Sequence, residues 1–417
     1  MLFSMHTDQH IKDANGIFGY SYGYRRICEH FSKFEYKDEK LDVVQNSPYS
    51  KIQMFYMEPE WYNLKTMTNL RSPDFKKFHD NQYKIYGTHL EATKAWSHWI
   101  DPMNEVDEIW VGNQFAADAV MNSGVKTPTY VFEHGVDDAW KPRMRGQNNK
   151  IRFLHVDSGS PRKRADMVEQ AFIMLFGNNP DVELTLKYHS HEGASEFGLS
   201  SLLSNVRKIF KTLSHDEMID LFYSHDAIVY PSEGEGFGFI PLQALASGMP
   251  VISTSRWCSY DKYFKDNIIE STIGPTSYSG YSQGEVVLAN FDSLMDRMLN
   301  FYNNVKSQCE FYYKQAPSVY KEYNWQTRCD SMLNDLVDRL GYDYFLEIEN
   351  DDIKFIHYTG AGSYASIDGV RFDKNNRSQM VSKNLYNNLI CQDIFREMTD
   401  EEILPFKNNL YNNFSLE

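Results

Sequence analysis

The sequence predicts an α/β fold built on parallel sheets, arranged as two successive halves. Short apolar runs that are typical of buried strands alternate with segments of helical periodicity, and this alternation favours parallel sheets with helical crossovers. One series of such runs precedes residues 140–150 and a second series follows them. The chain has 417 residues, of which 42% are hydrophobic and 15% aromatic, so it is long enough for two or three domains.

The first half contains five predicted strands and two predicted helices. A turn over residues 13–24 leads into the first helix, Arg25–Phe34. Asn113 is placed to cap the second helix, Gln114–Met121, which Gly124 would end. The strands are Met1–Met5, Gln53–Met57, Lys84–Tyr86, Glu108–Val111 and Tyr130–Glu133.

The second half repeats the pattern. It opens with the strand Ile151–Val156, the helix Met167–Phe176 and the strand Leu184–Lys187. Ser214 and Glu217 have the spacing of a capping box, which predicts the start of a helix that runs to Tyr223. The next apolar run, Ala227–Tyr230, predicts another buried strand.

The most informative segment follows that strand. Residues 230–238 read Tyr-Pro-Ser-Glu-Gly-Glu-Gly-Phe-Gly, and Pro241 and Gly248 suit the first turn and the end of a short helix before a further strand. Such a turn directs backbone N–H groups and the positive end of a helix dipole at one point, which suits an anion such as a diphosphate. Glu235 is unfavourable beside an anion unless it has another task, and hydrogen bonding to sugar hydroxyls is such a task.

This segment resembles the donor-site signature of retaining glycosyltransferases of family 4, in which a second glutamate lies eight positions after the first. Here that position is Gln243. The resemblance implies that Glu235 holds hydroxyls of the donor sugar and that Gln243 contacts the ribose. The hydrogen bond from the ribose to the Gln243 amide would contribute about 1 kcal/mol less binding free energy than one to an ionised glutamate. It extends over roughly residues 1–340, because further segments match in order: residues 107–115, 133–137, 162–164, 213–218 and 323–325.

The resemblance implies the GT-B fold, two Rossmann-like lobes facing across a cleft, here with a C-terminal extension. Residues 1–145 are then the acceptor lobe, and residues 146–320 the lobe that binds the nucleotide sugar. Residues 321–340 form a helix that crosses back to the first lobe. In the extension, residues 341–417, the sequence predicts a strand Ile353–Tyr358, a turn over residues 359–363 and an amphipathic helix Gln379–Met398.

Further site residues are implied by the same resemblance. Arg162 and Lys163 follow a predicted strand and precede a helix, and they would neutralise the departing diphosphate with assistance from Lys187. The N–H groups around Gly236, Phe237 and Gly238 would contact the same diphosphate. In the first half, Gly19 fits a glycine turn near the phosphate or the acceptor. His89 and Glu235 are the two candidate catalytic residues, and Glu91 is expected on the acceptor side.

The implied reaction is sugar transfer from a nucleotide-sugar donor, expected to be a UDP-sugar, with retention of anomeric configuration and without a protein nucleophile. No other cofactor and no metal ion is expected. The acceptor is left open among a glycan, a metabolite and a modified DNA base. One alternative is therefore a phage DNA glycosyltransferase that acts on hydroxymethylated or already glycosylated cytosine, since the chain is rich in Asn and Tyr; another is a non-catalytic nucleotide-sugar-binding subunit. A nucleotide-sugar epimerase is a weaker alternative.

Charge and targeting signals narrow the function further. The net charge of −15 disfavours broad adhesion to nucleic acid or anionic lipid. Residues 141–152 are an exception, because they carry five basic residues, and for a DNA acceptor this cluster would have to face the mouth of the cleft.

We find no apolar run of membrane-spanning length and no signal peptide, so we expect a cytoplasmic protein without integral membrane association, in the host cytoplasm if phage-encoded. Five scattered cysteines favour reduced thiols over disulfides or zinc.

Overall fold

The computed structural model describes most of the chain. The described residues are 1–6, 19–45, 50–56, 82–147, 149–189, 203–276, 284–346, 353–359, 364–367, 370–373, 378–382, 386–387, 389–390, 392, 395–399 and 401–402. They divide into two compact units. The first unit comprises Met1–Gly87, Glu105–Ile109 and Cys329–Glu417, and the second comprises Thr88–Asn104 and Trp110–Arg328.

Strands and helices alternate along most of the described chain. The strands are β1 Leu2–His6, β2 Glu35–Tyr36, β3 Glu39–Lys40, β4 Asp42–Gln45, β5 Ile52–Tyr56, β6 Tyr83–Thr88, β7 Glu108–Val111, β8 Thr129–Val131, β9 Ile151–Val156, β10 Val182–Tyr188, β11 Val206–Phe210, β12 Ala227–Tyr230, β13 Val251–Ser253, β14 Ser271–Pro275, β15 Glu285–Ala289, β16 Ile353–Tyr358, β17 Tyr364–Ile367, β18 Val370–Asp373, β19 Ser378–Ser382 and β20 Phe395–Glu397. The helices are α1 Gly19–Phe31, α2 Ile100–Met103, α3 Gln114–Asn122, α4 Ala165–Phe176, α5 His215–Tyr223, α6 Phe239–Ala246, α7 Phe291–Asn303, α8 Val305–Tyr323 and α9 Trp325–Leu340.

The first unit is built on a sheet in which strands lie in the order β4-β1-β5-β6-β7. The neighbours β4, β1, β5 and β6 are parallel to one another. All five residues of β5 are buried, as expected for a central strand with both faces covered. Helix α1 packs beside this sheet, with the ring of Phe31 in edge contact with Phe3 of β1 at 5.3 Å.

The second unit contains a five-stranded sheet in the order β11-β10-β9-β12-β13, and every adjacent pair in it is parallel. Its core is formed by apolar side chains of the sheet and of α4, α7 and α8, among them Phe153, Phe172 and Phe301. Because all five strands run in one direction, their carboxyl ends meet at a single edge. The segments that leave β9, β10 and β12 at that edge carry most of the predicted site residues.

The α/β prediction with two parallel sheets is confirmed, and most predicted strands lie within two residues of the observed ones. Two predicted caps are confirmed as well. The Asn113 side chain accepts a hydrogen bond from the N–H of Ala116, and Ser214 and Glu217 form a reciprocal capping box at the start of α5. These features depend on contacts between residues three or four apart, so the local sequence determines them.

Two helix predictions were wrong at their ends. The first helix begins at Gly19 rather than at Arg25, so part of the predicted turn is helical, and the part over residues 13–18 lies outside the described residues. The helix predicted over residues 379–398 is replaced at its two ends by β19 and β20. Both strands pair antiparallel with β16, which was itself predicted correctly. Pairing with a distant strand satisfies the backbone there, and apolar periodicity does not reveal such pairing. Of the turn predicted over residues 359–363, residues 360–363 are outside the described part.

Candidate active site

The turn that follows β12 is buried along its whole length, from Pro231 to Gly238. Gly238 precedes α6 with a φ of +86°, a left-handed conformation that favours glycine. A side chain on Gly236 would overlap the Cβ atom of His89. The glycines of this turn are therefore required for close packing within the second unit, as well as for any approach of a ligand.

Glu235 projects from this turn into a cluster of donors. Its Oε1 atom lies 2.9 Å from the guanidinium of Arg162 and 2.6 Å from Nζ of Lys163. The same oxygen accepts hydrogen bonds from the hydroxyls of Ser232 at 2.5 Å and Tyr230 at 3.0 Å. Four donors thus converge on one carboxylate oxygen, which fixes the side chain before any ligand binds.

Electrostatics keep Glu235 ionised. Burial alone would raise its pKa, but the positive charges of Arg162 and Lys163 and the hydrogen bonds outweigh that effect and lower the pKa to about 2. Burial also lowers the pKa of Lys163, against the opposing charge of Glu235. The carboxylate is therefore a permanent hydrogen-bond acceptor at neutral pH.

Arg162 connects this cluster to a segment that lies far away in the sequence. One of its terminal nitrogens contacts Glu235, and the other lies 2.6 Å from Oε1 of Glu91. The Arg162 side chain is 8% exposed, whereas that of Glu91 is 28% exposed. A single guanidinium is thus shared between two carboxylates, one buried and one partly exposed.

His89 lies over the turn in a group of aromatic rings. Its imidazole is in edge contact with His134 at 5.2 Å, and His134 stacks on Phe239 and Trp325 at 5.6 and 5.4 Å. Burial lowers the pKa of His89 to about 4, although a backbone hydrogen bond to Gly236 opposes the shift. His89 is therefore neutral at pH 7 and suited to hydrogen bonding rather than to carrying a charge.

The remaining predicted residues occupy different positions. Lys187 lies near the carboxyl end of β10, at the same edge as the turn, and is 1% exposed. Gln243 is 3% exposed within α6, and its Oε1 atom accepts no hydrogen bond from the residues that the structure describes. Gly19 is the first residue of α1 and belongs to the first unit, whereas every other predicted site residue belongs to the second.

Sequence reasoning did not identify Asn113 as part of this site. Its side-chain amide donates to the backbone oxygens of Glu235 and Gly236, at 3.0 and 2.9 Å, while its Oδ1 atom caps α3. Trp257 supports the other side of the turn, because its indole N–H donates to the backbone oxygen of Ser232 at 3.1 Å. The capping role of Asn113 was visible locally, but its contact with a turn 122 residues away had no signal in the sequence.

The described part of the chain has neither a cluster of metal ligands nor a membrane-spanning helix. No three His, Cys, Asp or Glu side chains in that part of the chain are grouped as metal ligands would be. None of the helices described there is long and apolar enough to cross a bilayer.

The segment that contains the turn matches a known protein family. Residues 137–282 match the profile of the family described as Glycosyl transferases group 1. This segment includes Arg162, Lys163 and Glu235. His89, Glu91 and Asn113 lie outside it.

Individual relatives agree with the family match. The chain is 30% identical over 126 residues to D-inositol 3-phosphate glycosyltransferase of Arthrobacter sp. (strain FB24), an alignment that covers 28% of this chain and 30% of the relative. It is 29% identical over 156 residues to Uncharacterized glycosyltransferase 335 of Sulfolobus islandicus rod-shaped virus 1, covering 34% of this chain and 45% of the viral protein. The chain thus spans less than half the length of either relative.

The fold is shared more widely than the sequence. Sucrose-phosphate synthase from Thermosynechococcus elongatus superposes with a TM-score of 0.55 at 12% identity, over 81% of this chain and 98% of that one. At this identity the likeness establishes the fold alone. The chain has the α/β fold of the GT-B glycosyltransferases, and within it residues 137–282 match the Glycosyl transferases group 1 family.

Proposed function

We propose that this protein is a retaining glycosyltransferase that moves a sugar from a nucleotide-sugar donor, expected to be a UDP-sugar, to an acceptor hydroxyl. The observation that carries the proposal is the ionised, fully positioned carboxylate of Glu235 beside Arg162 and Lys163, at the carboxyl edge of a parallel sheet. That edge is where ligands of open α/β sheets bind. The match to the glycosyltransferase family covers the same residues.

In this proposal each predicted residue has a chemical role. Arg162, Lys163 and Lys187 bind the diphosphate together with the N–H groups of residues 236–238, and the Glu235 carboxylate accepts hydrogen bonds from sugar hydroxyls. The carbonyl oxygen of Gln243 accepts a hydrogen bond from the ribose, a role supported by the absence of another donor to it among the described residues.

The first half of the chain supplies the remaining roles. His89 hydrogen-bonds to the donor sugar. Its imidazole does so in the neutral form, because its low pKa keeps it uncharged at pH 7. Glu91 lies on the acceptor side, and the backbone at Gly19 approaches the phosphate or the acceptor. We assign donor binding to residues 146–320 and acceptor binding to residues 1–145, with residues 321–340 as the crossing helix and residues 341–417 as an extension.

The proposed transfer needs no protein nucleophile. The bond between the anomeric carbon and the β-phosphate oxygen breaks, the acceptor oxygen bonds to the same face of that carbon, and the leaving phosphate oxygen takes the acceptor proton. Negative charge grows on the diphosphate during this step, so fixed cations accelerate it by stabilising the transition state. The buried guanidinium and ammonium groups of Arg162 and Lys163 supply this charge.

A two-stage experiment tests the proposal. A thermal-shift panel of nucleotide sugars first identifies the donor, and mass spectrometry then follows transfer to glycans, metabolites and hydroxymethylated duplex DNA. We expect one donor to raise the melting temperature and to be hydrolysed slowly without acceptor. Binding without hydrolysis or transfer to any acceptor would instead favour a non-catalytic nucleotide-sugar-binding subunit, and no binding of any nucleotide sugar would contradict the proposal.

A further inference from the structure

The ion pair between Glu91 and Arg162 has a geometry that donor binding must disturb. The two side chains meet at 2.6 Å, and the Arg162 guanidinium also contacts Glu235 at 2.9 Å. In the proposed function this guanidinium binds a phosphate of the donor. A carboxylate oxygen of Glu91 therefore lies where a phosphate oxygen would bind.

The backbone around Glu91 is held firmly, so movement is confined to the side chain. The backbone oxygen of Glu91 packs so closely on Gly234 that any side chain at Gly234 would overlap it. Two residues later, the N–H of Thr93 donates to the backbone oxygen of Glu285 at 2.9 Å, and the Thr93 hydroxyl accepts from the N–H of Glu285 at 2.8 Å. The Glu91 side chain, 28% exposed, has room to turn towards solvent.

The local charge balance gives the reason for such movement. Arg162 and Lys163 carry two positive charges, and Glu91 and Glu235 carry two negative charges, so the four side chains are formally neutral. A diphosphate that joined all four would place several negative charges together at a largely buried site, which is strongly unfavourable. Removing Glu91 from Arg162 restores a net positive charge for the diphosphate.

Of the two carboxylates, Glu91 is the one more easily released. Glu235 is held by four donors, whereas the ion pair of Glu91 is with Arg162. Burial and the charge of Glu235 raise the pKa of Glu91 despite the opposing charge of Arg162, while Glu235 has a lowered pKa. The ionised form of Glu91 is thus the less stable of the two at this site.

We infer that Glu91 is an internal substitute for a donor phosphate: it neutralises Arg162 in the empty site, and its side chain leaves Arg162 when the nucleotide sugar binds. This inference rests on the proposed function, because it requires a diphosphate donor. It adds an autoinhibitory contact to the acceptor-side role predicted for Glu91. The contact lowers donor affinity and prevents Arg162 from binding unrelated anions.

The test is calorimetric titration of UDP and of inorganic pyrophosphate into the wild-type protein, Glu91→Gln and Glu285→Gln. Glu91→Gln removes the competing charge and keeps the size of the side chain, so we expect both ligands to bind about tenfold more tightly. Glu285→Gln is the matched control, because Glu285 is an exposed carboxylate whose backbone is hydrogen-bonded to Thr93, two residues after Glu91. This variant should bind both ligands with the affinity of the wild type. Unchanged or weaker binding by Glu91→Gln overturns the inference.

A second variant keeps the test decisive if Glu91→Gln folds poorly, as judged by its melting curve. Glu91→Asp retains the charge but is shorter by one methylene, so it reaches Arg162 less well and should bind both ligands more tightly than the wild type, by a smaller factor. Equal binding by the wild type and both variants refutes the inference alone. If neither ligand binds to any of the proteins, the proposed function fails together with it.

Discussion

Two groups of basic residues lie at opposite edges of the same five-stranded sheet, and their surroundings differ. The carboxyl-edge group consists of Arg162 and Lys163, which follow β9, and Lys187, near the end of β10. The amino-edge group consists of Arg143, Arg145, Lys150 and Arg152, near the start of β9. The six residues of β9 separate the two edges by roughly 17–20 Å.

The amino-edge group is largely committed to the fold. Arg145 is 5% exposed, and its guanidinium donates to the backbone oxygens of His225 and Ser247 at 3.0 and 2.6 Å. Lys150 and Arg152 both pair with Glu183, at 2.7 and 3.1 Å. Arg143 is the exposed arginine of the group, and its guanidinium lies 5.2 Å from the ring centre of Tyr223.

In the carboxyl-edge group, Arg162 and Lys163 instead pair with Glu91 and Glu235, the carboxylates of the candidate site. For a DNA acceptor, the basic cluster of residues 141–152 would have to face the mouth of the cleft, and the members of this cluster at the start of β9 lie at the edge opposite Glu235. A DNA contact made by these residues would therefore lie away from Glu235. Four predictions break or sharpen the comparison.

The largest effect is expected for Glu235→Gln. Loss of the ionised acceptor should lower the rate of transfer by about 10²–10³-fold. The free energy of unfolding should also fall by about 3 kcal/mol, because buried Lys163 would lose its carboxylate partner and buried Arg162 would lose one of its two. Turnover with the best donor and urea unfolding measure the two effects.

The matched change at the other edge is Glu183→Gln. Its ion pairs with Lys150 and Arg152 are partly exposed, so stability should change by at most about 1 kcal/mol and transfer should be unchanged. Equal losses of activity in the two variants would show that the two edges are not functionally distinct.

A smaller effect is expected from pH through Lys187. Burial lowers the pKa of this lysine to about 8, and the nearby carboxylate of Asp157 only partly opposes the shift. The ammonium form predominates below pH 8 and is lost above it, so UDP affinity should fall about three- to tenfold between pH 7 and pH 9. Calorimetry across this range on the wild type and on Lys187→Met measures the effect; a step of equal size in Lys187→Met would exclude Lys187 as the titrating group.

The smallest effect is expected for Arg143→Gln in the amino-edge group. We expect UDP affinity and transfer to hydroxymethylated duplex DNA, if any is detected, to stay within about twofold of the wild type at each salt concentration, because Arg143 lies at the edge away from Glu235. A clear loss of DNA transfer, together with a weaker dependence on salt, would support the DNA-acceptor alternative.

The local sequence was sufficient for the α/β architecture and for the path of the chain through the turn. β12, the glycine turn and α6 follow one another within residues 227–246, and their signals are apolar runs, a proline in the first helical turn and glycines. The family resemblance pointed to Glu235, Arg162 and Lys163, and the structure brings Arg162 and Lys163 within hydrogen-bonding distance of Glu235 across 73 and 72 residues. Their placement follows from the rule that strand ends of a parallel sheet meet at one edge.

The sequence by itself determined the elements, the helix caps and the edge of the sheet at which the candidate site forms, because these depend on periodicity and on hydrogen bonds between near neighbours. Only the tertiary structure decided that Glu91 pairs with Arg162, that Asn113 holds the turn, that Arg145 is structural and that the C-terminal segments pair as strands. These contacts join residues that are far apart in the chain, and their free energy depends on burial and on the partner that the fold supplies, neither of which is encoded in a local pattern.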